Sequence, residues 1–348
     1  MRWDNLRLID RPDGMSVPLF EQGAVVRRFD TPEFKGITFY EVHAKTIINR
    51  VPEASRVPFR WTINTFRGCS HACFYCFARN THTYLDLDYG EDFNRQIVVK
   101  VNAPELLRKE LAHPKWEGEH IAMGTNVDNY QRAEGRYRLM RGVLEALRDA
   151  HNPFSILTKG SLILRDVDLL QQCAQIADVG TNVSVGFVDR DLWRAVESGT
   201  PSPQTRLEVC RTLNEAGVQC GVLMAPIIPF LSDSDEHLRA TVEAIAAAGA
   251  THIAPIVLHL RTGAREWFLQ WLREHHPELV PRYEALYRNR AYAPKDFQAS
   301  ITAKVKALAD EFGVGQHGPK DARRIGDTPL GHPRAAAPIA PTEQLSLL

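Results

Sequence analysis

Three of the chain's six cysteines fall within eight residues, as Cys69-Ser-His-Ala-Cys73-Phe-Tyr-Cys76. No other feature restricts the chain as much, because three thiolates on one tight loop must share a common target. The spacing is C-x3-C-x2-C, with an aromatic residue just before the last cysteine. Such a loop can hold three irons of a cubane iron–sulfur cluster, one thiolate to each. The fourth iron is then left without a protein ligand and stays open to a cofactor or substrate.

Other readings are weaker. Structural zinc normally takes four ligands in paired C-x2-C spacings, and only three cysteines cluster here. His71 lies two residues from each flanking cysteine, badly placed to complete a set. A disulfide asks for an oxidising compartment, and nothing in the chain indicates export. A zinc loop and incidental cysteines stand as the alternatives. Cys173, Cys210 and Cys220 are scattered singly and read as small buried hydrophobes, with no clustered cysteines for a second iron–sulfur site.

The chain has 348 residues, 44% hydrophobic and 24% charged, with zero formal net charge. That is an ordinary globular profile, and a basic partner-binding surface is not announced by composition. No apolar run approaches the roughly 20 residues of a membrane helix. The opening Met1-Arg2-Trp3-Asp4 lacks the apolar stretch of a signal peptide. A cytoplasmic location without a membrane partner is the expectation.

From about residue 61 to 260 strand and helix patterns alternate, which predicts an α/β fold with a parallel sheet and outer helices. Strands are expected at Trp61–Phe66, His120–Gly124, Phe154–Thr158, Val183–Phe187, Gln219–Ala225 and His252–Leu258. Helices are expected at Tyr137–Ala150, Asp166–Ile176, Pro203–Ala216 and Asp235–Ala248. Residues 1–60 read as an N-terminal extension packed on this unit. Residues 261–314 form a helical segment, with Trp267, Phe268, Trp271 and Leu272 at core spacing. Residues 315–348 form a tail, and its Gly, Pro, Arg and Ala content predicts disorder over 326–343.

The run Arg67-Gly-Cys-Ser-His-Ala-Cys-Phe-Tyr-Cys-Phe-Ala-Arg79 resembles the signature of radical S-adenosylmethionine (radical SAM) enzymes. More narrowly it resembles the spore photoproduct lyase-like, or DNA repair photolyase-like, group. The resemblance implies a partial (β/α)6 TIM-type barrel whose first strand leads into the cysteine loop. It implies a [4Fe-4S] cluster on Cys69, Cys73 and Cys76, with the open iron chelating the amino and carboxylate groups of SAM. An electron then splits SAM into methionine and a 5′-deoxyadenosyl radical, so a reductant such as flavodoxin or ferredoxin is expected. Sites in such barrels lie at the C-terminal ends of the strands.

The resemblance extends to the SAM contacts. Tyr75 matches an aromatic that packs near the adenine. Gly124, Thr125 and Asn126 stand where small or polar residues bind the amino group, with Asp128 close behind as a substrate or cofactor contact. An ordinary turn is the competing role for 126–129. Thr158-Lys159 matches a pair that holds the SAM carboxylate, a task suited to a compact cation. Alternation puts Asn182, Ser184 and Gly186 on one face, from which Ser184 reaches SAM if that face lines the lumen. Glu197 and Arg206 flank Pro201-Ser202-Pro203, with Arg206 either contacting SAM, ordering the loop or forming a surface salt bridge. Met224–Pro229 ends the fifth strand and shapes the adenine pocket. Arg165-Asp166 reads as the cap of the next helix.

Two departures stand out. True spore photoproduct lyases carry a hydrogen-donating cysteine near the end of the second strand. Here Met123, Gly124 and Thr125 occupy that stretch, and no cysteine occurs from Phe77 to Gln172. Phe77 also replaces a tyrosine after the last cysteine. No catalytic side chain is assigned. The chain closes on Gln344-Leu-Ser-Leu-Leu348, which resembles the peptide that docks on the bacterial sliding clamp, a short apolar anchor on a tether. Arg132, Arg136, Arg138, Arg141 and Arg323-Arg324 read as solvated faces, with phosphate contact as the alternative. The leading function is a radical SAM enzyme acting on nucleic acid, DNA included. The alternatives are the same chemistry on a peptide, tRNA or small metabolite, and a non-catalytic zinc-loop adaptor.

Overall fold

The computed structural model describes residues 6–7 and 24–315, apart from 54, 56 and 289. Among the described residues twelve strands occur in chain order: β1 Leu6–Arg7, β2 Val25–Arg27, β3 Thr38–Ala44, β4 Ile48–Arg50, β5 Trp61–Ile63, β6 Phe66–Arg67, β7 Gln96–Lys100, β8 Ile121–Met123, β9 Phe154–Thr158, β10 Val179–Ser184, β11 Cys220–Ile227 and β12 Ile253–Val257. Seven of them form one sheet in the order β12-β11-β10-β9-β8-β5-β4. The six from β5 to β12 run parallel, and β4 adds an antiparallel edge against β5. The edge strands β4 and β12 do not pair with each other, so the sheet is a partial barrel rather than a closed one. Parallel neighbours need crossovers, and helices supply most of them.

The helices are α1 Glu91–Arg95, α2 Ala103–Leu111, α3 Arg132–Tyr137, α4 Leu139–Asp149, α5 Val167–Ile176, α6 Arg190–Val196, α7 Pro203–Glu215, α8 Asp235–Ala247, α9 Ala264–His275, α10 Val280–Tyr287 and α11 Lys295–Glu311. Their starts are written locally. Ser202 accepts a hydrogen bond from the Thr205 amide with Pro203 at the first helical position, and Ser234 accepts from His237. The apolar stripe of α4 buries Leu139, Met140, Val143, Leu144 and Leu147. Each contributes roughly 1.5–3 kcal/mol of transfer free energy. Apart from Leu139, which packs with Phe39 and Ile97, that stripe joins the barrel core with Ile121, Phe154, Ile156, Val183, Val222 and Met224.

A second sheet stands beside the barrel, in the order β1-β3-β7-β6 with β2 also on β3. Its central pair joins Thr38–Val42 to Gln96–Lys100 in parallel. One face packs Phe39, Ile97, Val99 and Phe66 together with Cys69, the first cysteine of the loop. The N-terminal residues are therefore a wall behind the cysteines.

Three expectations need correction. The strand expected at Trp61–Phe66 is broken: Trp61–Ile63 lies in the barrel sheet, while Phe66–Arg67 pairs with β7 in the second sheet and leads into the cysteine loop. The fourth barrel strand lies at Val179–Ser184 and not at Val183–Phe187, because Val185 onward turns away after its amide bonds Leu223. Asp166 precedes α5 but makes no side-chain cap bond. It accepts instead from the Tyr130 hydroxyl at 3.2 Å and from Arg165. The expected disorder of the tail, Arg323-Arg324 and the Gln344–Leu348 motif lie outside the described residues.

Candidate active site

The cysteine loop leaves β6 through Gly68, whose φ of +78° suits glycine. A Cβ there would meet the Gln96 carbonyl oxygen at 2.9 Å. Two turns then fold it, Ala72 N to Cys69 O at 3.2 Å and Cys76 N to Cys73 O at 3.3 Å. Ala72 holds φ +55°, a left-handed conformation costing an alanine roughly 1 kcal/mol. The rest of the molecule compensates for that strain. Gln131 accepts from Ser70 N and donates to Gly68 O, while the Phe74 amide bonds Val196 O. The fully buried Arg79 donates to the carbonyls of Ala72, Cys73, Tyr89 and Gly90 and to Asn94. Its guanidinium also sits 5.1 Å from the Trp267 ring, which stacks on Phe74. The loop is thus fixed by its backbone, with one weak sulfur contact, Cys73 Sγ to the His71 carbonyl at 3.9 Å.

At the ends of β8, β9 and β10 a buried polar wall faces the loop. Asp128 accepts from Lys159 N at 2.6 Å, Thr158 Oγ1 at 2.7 Å and Tyr130 N at 2.9 Å, and pairs with His71 Nδ1 at 3.3 Å. Lys159 Nζ donates to Ser184 Oγ at 2.8 Å and lies 5.8 Å from the Tyr75 ring centre. Arg206 bonds the Ser184 carbonyl at 2.6 Å and Glu197 at 2.5 Å, and the Tyr75 hydroxyl donates to the other Glu197 oxygen. Arg206 and Glu197 are 1% and 0% exposed, so the surface salt bridge considered for Arg206 is instead a fully buried pair.

Burial raises Cys69 well above an ordinary thiol, with the Asp128 carboxylate adding to it. Burial pushes Cys73 up to about 12, against the opposing pull of Lys159 and Arg206. Burial lowers Lys159 while the Cys73 sulfur raises it. Burial also works against ionised Asp128, but His71, Lys159 N and Thr158 outweigh it and hold the acid at about 2. Burial raises Glu197, with Arg206 pulling the other way.

The donor set fits an iron–sulfur cluster. Three thiols within electrostatic reach of one another share a buried site with Lys159 and Arg206, cations that offset thiolate charge. The Arg206 Nε is buried without a hydrogen-bond partner among the described residues, a donor available to a ligand. No three His, Cys, Asp or Glu side chains among the described residues converge on a single ion. A cubane asks for less convergence, since each sulfur reaches its own iron.

The structure brings together four of the SAM candidates, Tyr75, Lys159, Ser184 and Arg206. The other three sit one strand away. Gly124 presses on the Leu157 carbonyl with φ +86°. Thr125 Oγ1 shares a hydrogen bond with Thr62 Oγ1 at 2.9 Å, and Asn126 is exposed. Sequence reasoning missed the bracing residues Arg79, Asn129 and Gln131. Asn129 bonds Thr65 and the Ile63 carbonyl behind the loop. For Asn129 and Gln131 the local sign is a polar run, Asp128-Asn-Tyr-Gln131, just past a strand end, and Arg79 closes the cysteine-loop run. Of the arginines in 132–141, Arg141 pairs with Asp168, Arg132 bonds Gly199 O and Arg136 covers Phe29.

Comparison with known proteins adds to this geometry. The model of the Radical SAM superfamily matches residues 63–245. An uncharacterized protein of Mycobacterium tuberculosis is 48% identical over 308 residues, spanning 88% of this chain and 91% of that protein. An uncharacterized protein of Methanocaldococcus jannaschii is 33% identical over 199 residues, spanning 57% and 70%. Among solved structures, a spore photoproduct lyase complexed with dinucleoside spore photoproduct superposes with a TM-score of 0.60 at 15% identity, over 80% of each chain. A mutant of that lyase with bound AdoMet and the same dinucleoside gives 0.57 at 16% identity, over 76% of this chain and 77% of the other. At such identity these two speak for the fold alone.

Proposed function

The chain belongs to the radical SAM superfamily of enzymes, and from that premise we propose that Cys69, Cys73 and Cys76 hold its cluster, that Lys159, Ser184, Arg206 and Tyr75 line its SAM site, and that it acts on nucleic acid. The family's cofactors, a [4Fe-4S] cluster and SAM, are those of this enzyme. When bound and reduced, the cluster supplies the electron that cleaves SAM to methionine and a 5′-deoxyadenosyl radical; the protein supplies placement and excludes water.

The observation that carries the site is a pair of cations beside Cys73, the buried Arg206 and the half-buried Lys159. They are joined through Ser184, and away from bulk water each is best matched by an anion. Glu197 satisfies Arg206, while Lys159 has a neutral hydroxyl as its hydrogen-bond partner and Asp128 at longer range. A carboxylate of SAM would complete Lys159, whose ammonium lies within electrostatic reach of Cys73. Tyr75 presents a ring face next to that ammonium for the adenine. Gly124, Thr125 and Asn126 offer backbone and polar oxygens on the β8 side for the amino group. Asp128 ties the loop, through His71, to the amide of Lys159 and so fixes the spacing between cluster and SAM.

The nucleic-acid reading draws support from the likeness to a lyase whose structure holds a dinucleoside photoproduct. Without a cysteine at the end of β8, the reaction differs from repair of the spore thymine dimer, and no such repair is expected in an anaerobic assay. The enzyme is proposed to work in the cytoplasm with a flavodoxin or ferredoxin as reductant, and to reach DNA through a clamp contact at Gln344–Leu348. No described helix is long and apolar enough to cross a membrane. The test is anaerobic incubation with SAM, reductant and damaged DNA or RNA. Deoxyadenosine formation that rises with one nucleic acid supports the reading; formation that rises only with peptides or metabolites overturns the substrate class.

A further inference from the structure

Five large hydrophobic side chains are exposed among the described residues, and two of them, Phe77 and Tyr84, lie in the nine residues that follow Cys76. Phe77 is 41% exposed although its neighbour is a cysteine of the loop. Adjacent Cα atoms are about 3.8 Å apart, and Cys76 is itself partly exposed, so the Phe77 backbone borders the open side of the cysteine loop. Arg261 meets it from beyond the C-terminal end of β12. The guanidinium lies 5.5 Å from the Phe77 ring centre and 5.7 Å from that of Tyr292, and donates to the Tyr292 hydroxyl at 2.6 Å.

The three side chains come from three separate segments, and each is anchored. Tyr292 is held by a backbone bridge to His259 and by the bond from Leu260 N to Ala291 O. Its ring lies 4.4 Å from that of His259. Gly263, with φ +82°, packs against Asn80 on the segment that carries Phe77. Burial and Arg261 lower His259 to about 4, so its ring is neutral at ordinary pH.

Exposed basic residues gather on the segments that build this cluster: Arg261, Arg288, Arg290 and Lys295, with Glu266 turned to the Gly263 amide. An exposed ring and a half-buried one with a guanidinium between them match a nucleotide, which presents a π face and a phosphate.

Resting on the nucleic-acid reading above, we propose that Phe77, Arg261 and Tyr292 form a stacking platform that holds an unpaired nucleotide of the substrate strand beside the open side of the cysteine loop. The platform selects single-stranded or extrahelical nucleotides, because a base stacked inside a duplex has no free face. It is a binding element, and it acts whatever the base chemistry that follows.

The test uses the anaerobically reconstituted full chain and labelled single-stranded DNA and RNA 12-mers, read by fluorescence anisotropy. Phe77→Ala and Tyr292→Leu should each weaken binding about tenfold, the usual scale for one lost stacking ring. Phe77→Tyr keeps a ring and should bind like the parent, which guards against a folding artefact. Arg239→Ala, a remote exposed arginine paired with Glu311, should change nothing. Loss confined to the DNA or to the RNA strand supports the platform and names its source. Unchanged affinity in both ring variants, with the parent binding well, overturns the platform and leaves nucleic acid as substrate. A parent that binds neither strand overturns the nucleic-acid reading itself. Variants that bind normally but accept electrons slowly from flavodoxin assign the surface to the donor protein and overturn the platform.

Discussion

The chain holds two trios of cysteines in opposite settings. Cys69, Cys73 and Cys76 share one loop at a strand end, with Lys159, Arg206, Asp128 and Glu197 around them. Cys173, Cys210 and Cys220 are spread over α5, α7 and β11 and are fully buried in the barrel core. The core thiols donate weakly to backbone carbonyls, Cys173 to Leu144 and Cys210 to Cys220. Burial raises Cys73 to about 12 and Cys173 to about 11, so burial alone does not tell a ligand from a filler. What differs is the company. Beside the loop there are a buried arginine and a half-buried lysine able to offset thiolate charge and a backbone fixed from outside; around the core trio there is mostly hydrocarbon.

The sharpest way to break this contrast is substitution within each trio. Cys76→Ala should abolish deoxyadenosine formation and reduce iron from about four per chain to near background. Cys173→Ala should keep iron and activity and cost only about 1–2 kcal/mol of stability, as a small core truncation does. Iron analysis and thermal unfolding check both. Equal iron loss from the two variants would erase the distinction.

Next in size is the buried pair. Arg206→Met leaves Glu197 charged, buried and unpaired, and should destabilise the fold by about 3–5 kcal/mol. Adding Glu197→Gln should restore much of that stability while SAM binding stays weak. Full recovery of SAM affinity in the double variant would make Arg206 purely structural.

Asp128 gives a smaller effect with a defined pH signature. Its acidity is set near 2 in the fold, below the 3.8 of an ordinary aspartate. The native state therefore gains from ionised Asp128 above about pH 4, and that gain fades as pH falls through 2. The difference amounts to about 2 kcal/mol. Asp128→Asn should lose it at pH 7 and flatten the acid limb of the stability curve, as read by denaturant unfolding from pH 2 to 7.

The smallest effect expected on the isolated enzyme comes from removing 344–348. Turnover on short oligonucleotides should not change, while capture by an immobilised sliding clamp should fall. Unchanged capture removes the clamp contact from the account.

Much of this was legible because the signals are local. The cysteine spacing, the Ser202-Pro203 and Ser234 helix starts and the apolar stripe of α4 all lie within a few residues of sequence. The N-terminal sheet is different. It pairs Thr38–Val42 with Gln96–Lys100 across more than fifty residues, and no local pattern announces a partner so distant. In sequence Asp128 reads as a substrate or cofactor contact or as a turn residue, because its bonds to His71 and Lys159 form only through the fold. The burial of Glu197 with Arg206 is hidden for the same reason: a charged pair looks alike in sequence whether it faces water or the core.

The most direct measurement is electron paramagnetic resonance of the reduced, anaerobically reconstituted protein with and without SAM, beside Lys159→Ala. A spectrum that SAM perturbs in the parent, with the perturbation lost or shifted to much higher SAM concentration in the variant, is the result this account predicts. A cluster spectrum indifferent to SAM, or a Lys159→Ala response identical to the parent, would contradict it.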